Sequence, residues 1–86
     1  MNLYLLTQNE STGYDTFDSC IVCAETESEA KAIFPDGSEN GFEMQEHLKK
    51  LGMSWASCPE NVRCELIGLA KDAVKKGVII ASFNAG

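Results

Sequence analysis

Two runs in this chain are apolar at every position of the β repeat: Cys20-Ile21-Val22-Cys23-Ala24 and Val78-Ile79-Ile80-Ala81. A strand alternates its side chains between two faces, so a run with no polar face needs cover on both sides or a central place in a sheet. Both runs are too short to favour a helix. The chain is thereby committed to a sheet with a buried interior, and its remaining segments must supply the other strands and the cover.

Asn2 to Gln8, built around Leu3, Tyr4, Leu5 and Leu6, reads as the first strand. Asn9-Glu10-Ser11-Thr12-Gly13 collects turn formers, so the chain reverses between Asn9 and Thr16 and returns as a second strand from Phe17 to Ala24, a hairpin with a long tip. Asn61 to Ile67 alternates Val62, Cys64 and Leu66 with Arg63 and Glu65, the pattern of a half-exposed strand. Val78 to Phe83 is the fourth strand, expected to be central, and Asn84-Ala85-Gly86 is expected to fray.

Two helices are expected between the second and third strands. Thr26-Glu27-Ser28-Glu29 has the form of a capping box, with Ala30, Ile33 and Phe34 as its apolar stripe and Pro35 as its stop. Asn40 and Glu43 open a second helix from about Phe42 to Leu51, whose stripe would be Met44, Leu48 and Leu51; Lys49 and Lys50 suit its last turn, and Gly52 follows. Met53 to Glu60 reads as irregular, and Lys71 to Lys76 as a polar connection. The order β-β-α-α-β-β predicts one α+β domain over residues 1–86, a four-stranded, mainly antiparallel sheet with helices on one face.

Charge narrows the function. The ten acids from Glu10 to Glu46 face Lys31 alone, a net −9, whereas from His47 onward six cations face three acids, a net +3, which together give −6. Binding to a nucleic-acid backbone draws on an excess of Lys and Arg, so direct nucleic-acid binding is not expected. A fold of 86 residues buries only somewhat more than about 60% of its extended-chain surface, leaving little for a deep enzyme cleft. No nucleophile stands with a base and an orienting group, so no catalytic role and no cofactor are expected. The opening residues lack a basic n-region and no apolar run reaches membrane-spanning length, which points to a cytoplasmic protein with no membrane partner.

Cys20-Ile-Val-Cys23 has metal-site spacing, and Cys58, Cys64 or His47 could complete a tetrahedral set, giving the alternative of a small zinc-stabilised regulatory module. In an extended strand residues i and i+3 point to opposite faces, so buried reduced thiols are the preferred reading. His47, with Glu43 one helical turn away, reads as part of a solvated helix surface. Trp55 is expected to cover the sheet, or to be an interface hot spot if exposed, and Tyr14 at the hairpin tip has little core to enter. An interaction surface is therefore assigned to Tyr14, Asp15, Asp18, Glu25, Glu27, Glu29 and Trp55, facing a host or phage protein with a basic surface. A homodimer is also expected, through the third strand, with each Arg63 opposite a Glu65 of the other copy.

The segments YLLTQN, GYDTFDS, AETESEAK, ELIG and GVIIASFNAG together resemble a group of small proteins encoded by bacteriophages and prophages. The resemblance covers Leu3 to Phe34 and Val62 to Gly86 and brings no catalytic residue with it. It implies an accessory protein without an assigned activity. By analogy of size and charge it is also similar to anti-CRISPR and other anti-defence inhibitors, which occupy a surface on a host complex.

Overall fold

The structure, a computed structural model, describes residues 1–47 and 53–84. Strands β1 (Asn2–Thr7) and β2 (Thr16–Ala24) form the expected hairpin, followed by helices α1 (Glu27–Lys31) and α2 (Gly41–His47). A single 3₁₀ turn at Pro59–Asn61 then leads into strands β3 (Arg63–Leu69) and β4 (Gly77–Asn84). All pairings are antiparallel and the sheet order is β3-β1-β2-β4.

That order corrects one expectation. β4, apolar enough for the centre, lies at an edge, and the two central strands are those of the hairpin. The hairpin forms the middle because β1 and β2 are adjacent in sequence, and the later strands can then add only to its two free sides. The connection between them crosses one end of the sheet, where the Ala70 N–H donates to the Met1 carbonyl and the Val74 N–H to that of Lys71, both at 3.0 Å.

The register sorts side chains into rows across all four strands. Cys64, Leu6, Cys20 and Ala81 form one row on the covered face, and Leu66, Tyr4, Val22 and Val78 another. Ala24, Ala30, Phe34, Trp55, Ala56 and Val62 close the core over these rows except at Leu66, which is left exposed on the β3 edge. On the opposite face run Arg63, Thr7, Ser19 and Ser82, then Glu65, Leu5, Ile21 and Ile80. Bulges at Asp18, Ile67 and Ile79 interrupt the ladders.

α1 is shorter than its stripe predicts. Thr26 Oγ1 accepts from the Glu29 N–H at 3.2 Å, half of the capping box, while the Glu29 carboxylate turns to Lys76 Nζ at 3.0 Å. The chain tightens into i+3 bonds after Lys31, and Phe34 and Pro35 are buried beyond the helix end. Among the described side chains of α2, Phe42, edge-on to Phe34 at 5.2 Å, and Gln45 turn inward, and Met44 is exposed, against the expected stripe. Leu48, Lys49, Lys50, Leu51 and Gly52, the rest of that expected helix, lie outside the described residues.

Two glutamines organise the irregular segments. Gln8 Oε1 accepts from the N–H groups of Glu10 and Ser11, and its Nε2 donates to the carbonyls of Ser11 and Phe17, which shapes the hairpin tip from its base. Gln45 does the same for Ser54 to Ala56: Oε1 accepts from Ser54 and Trp55 N–H at 3.0 Å, and Nε2 donates to the Ala56 carbonyl at 2.7 Å. The Ser11 hydroxyl joins the two segments by donating to the Trp55 carbonyl at 2.8 Å.

Candidate interaction surface

The acids singled out in the sequence separate in space. Asp15 and Asp18 lie at the start of β2 and Glu25 just beyond its end, about 20–30 Å away along the strand at about 3.3 Å per residue, while Glu27 and Glu29 sit on α1, which turns back over the sheet and brings the Glu27 charge to bear on Cys64. They are two patches. At the Glu25 end the β3–β4 connection brings up Lys71, Lys75 and Lys76 with Asp72, and Lys76 bridges to Glu29. The acidic and basic halves of the sequence meet there and nearly neutralise one another.

The hairpin end keeps its charge. Glu10, Asp15, Asp18 and Glu60 share it with Arg63, and Lys31 acts on Glu60 from α1. The Glu10 carboxyl is held below its usual range, chiefly by the Ser57 backbone N–H at 3.2 Å, with the Asn61 side chain next. Glu60 is lowered by its own backbone N–H and by Cys58. Both stay ionised in mildly acidic solution.

Tyr14 projects from the tip with 79% of its surface exposed. Asp15 beside it adopts a positive φ of 59°, a region that Asp tolerates better than most residues. The tip is tied to the end of β4: the Asp15 N–H donates to the Asn84 carbonyl, and Asn84 Nδ2 donates to Asp18 Oδ1 at 2.8 Å. Asn84, expected to fray, is instead the anchor of this site. Phe83 packs on Phe17 with ring centroids 4.8 Å apart, yet stays half exposed. A shallow cleft of about 400 Å³ opens between Gly13, Tyr14, Phe83 and Asn84. The result is an acidic, aromatic-bearing surface whose side chains are held from two strands.

Trp55 does not belong to it. It is fully buried in the core, so the covering role is the one the structure gives it, and it has no exposed surface to offer a partner. Its position could not be read locally, because Gln45, ten residues back, sets the backbone that turns it inward.

The cysteines do not converge. Cys20 lies in the core row, and Cys23, three residues on, is buried on the other side of the sheet beside Leu3 and Gly77. Cys58 and Cys64 are half buried, all four thiols are free, and among the described residues no three His, Cys, Asp or Glu side chains gather as a metal would require. Burial pushes the Cys20 thiol up to about 12, the reverse of what a metal ligand or redox thiol needs. Cys64 is raised as well, by burial and then by the Glu27 charge.

A second cleft, of about 570 Å³, lies between α1 and the start of β4, floored by Ala32, Ile33 and Val78, with Glu29 and Lys76 among its lining residues. Their charges are spent on one another. No family profile, curated protein or solved structure matches this chain. Among the described residues no helix is long and apolar enough to cross a membrane.

Proposed function

We propose that this is a non-enzymatic interaction protein that docks the surface formed by Tyr14, Asp15, Asp18 and Phe83 on a basic surface of another protein. The observation that carries the reading is the fixing of this acidic tip to β4 through Asn84, which holds exposed acids and an exposed aromatic ring in one orientation before binding. Pre-organised groups lose less entropy on association, and Tyr is prominent among interface anchors. The chain's net charge of −6 adds long-range attraction to a basic partner.

A basic surface that normally holds nucleic acid is the partner that suits this chemistry, since carboxylates there take the place of phosphates. An inhibitor of a host defence complex, encoded by a phage and acting in the host cytoplasm, is the biological form of this proposal. The free thiols of all four cysteines accord with a reducing compartment.

The test is capture of basic host proteins on immobilised protein. Asp15→Lys combined with Asp18→Lys should abolish capture with unchanged circular dichroism, whereas Glu25→Lys with Glu27→Lys, at the far end, should leave most of it. Bound material should also elute as salt rises. Equal recovery of the same partners by the tip variant would sink the proposal.

A further inference from the structure

We propose that two copies of the chain pair through the free edge of β4, antiparallel about Ile80, to form one continuous eight-stranded sheet. Among the described residues nothing pairs with that edge. Edge strands in soluble proteins are normally guarded by charge or proline, because their unpaired N–H and C=O groups recruit other strands. From Gly77 to Asn84 β4 carries neither, and Ile79, Ile80 and Phe83 are 49%, 63% and 48% exposed. Both edges carry a bulge, β4 at Ile79 and β3 at Ile67, but only β3 adds the charges of Arg63 and Glu65.

What selects a second copy over a foreign strand is charge. In a two-fold pairing centred on Ile80, Gly77 meets the second copy's Phe83, and Lys76 arrives beside its Asn84. Asn84 is the residue that holds Asp15 and Asp18. Lys75 of each copy therefore comes beside the acidic tip of the other, twice by symmetry, and Lys76 joins it only by giving up its bridge to Glu29. Gly77 has no side chain and a φ of 139°, which leaves room for the facing Phe83 ring. The apolar row Leu5, Ile21, Ile80 on the open face then continues across the seam into its symmetry copy. An Arg63-to-Glu65 pairing along β3, by contrast, would overlap only residues 63 to 65, because Val62 is buried and the 3₁₀ turn at Pro59–Asn61 precedes it.

The pairing draws on Asp15 and Asp18, the acids assigned above to a basic partner, so dimer and partner complex exclude one another. It does not depend on that assignment, and Ile80→Lys separates the two, since it disrupts the edge and leaves the tip intact.

Light scattering on the purified chain at micromolar concentration should return twice its 9.4 kDa. Ile80→Lys should return the monomer mass with unchanged circular dichroism, because like charges then face each other on the axis, and Arg63→Glu should stay dimeric. Lys75→Glu with Lys76→Glu should weaken the dimer, and adding Asp15→Lys and Asp18→Lys to the same chain should restore it. A monomeric wild type overturns the proposal, as does an Ile80→Lys variant that remains dimeric, or dissociation by Arg63→Glu alone.

Discussion

Replacing Gln45 by alanine tests whether one side chain holds the irregular segment over the core. Gln45 is itself buried, and its amide satisfies the N–H groups of Ser54 and Trp55 and the carbonyl of Ala56. Truncation leaves the Trp55 N–H and the Ala56 carbonyl unpaired where both residues are fully buried; Ser54 is only half buried, so water can reach its N–H. Each buried group left without a partner costs about 1–3 kcal/mol, so the expected loss is about 2–6 kcal/mol. A domain of this length has roughly 4–13 kcal/mol in all. At about 4–8 °C per kcal/mol the melting temperature should fall by at least about 8 °C. Gln45→Met, which keeps the volume but makes no hydrogen bond, should lose nearly as much. Chemical denaturation gives the free energy, and fluorescence of Trp55, the single tryptophan, reports whether this segment opens. A loss under about 1 kcal/mol, or recovery in Gln45→Met, refutes the reasoning.

Gly41→Ala sets two effects against each other: alanine favours a helix by about 1 kcal/mol, but its Cβ would stand 2.2 Å from Cγ of Phe34, and overpacking of about 1–3 kcal/mol should prevail, so thermal melting should show net destabilisation. Asp15→Val should cost about 1–2 kcal/mol for its positive φ, while Asp15→Gly stays near wild type in the same assay. In native protein a thiol reagent should modify Cys58 and Cys64 before Cys20 and Cys23, and all four only after denaturation. Because folding raises the Cys20 thiol from 9.0 to about 12, the stability it contributes is complete below about pH 9 and is lost as pH rises toward 12, which denaturation at a series of alkaline pH values measures; Cys20→Ala should flatten that decline.

Much of the secondary structure was legible in the residues themselves. The alternation of Val62, Cys64 and Leu66 with Arg63 and Glu65, the Thr26 cap and the turn formers after Gln8 each act over a few positions, so local sequence sets them. The α+β class followed from their order. That Cys20 and Cys23 point apart was also foreseeable, because the strand period sends them to opposite faces.

The placement of β4 was not legible, because an apolar strand reads the same at the centre of a sheet and at an edge where its side chains are left exposed. Nor was the inward turn of Gln45, since a polar residue enters a core only where particular backbone groups await it, and those are supplied by Ser54 to Ala56. Nor could the charge pattern be placed from the sequence, for a related reason. Electrostatics acts through distance in space, and only the folded chain sets Lys76 against Glu29 while leaving Asp15 and Asp18, tied to Asn84 from the far end of the sequence, as the acidic end of the molecule.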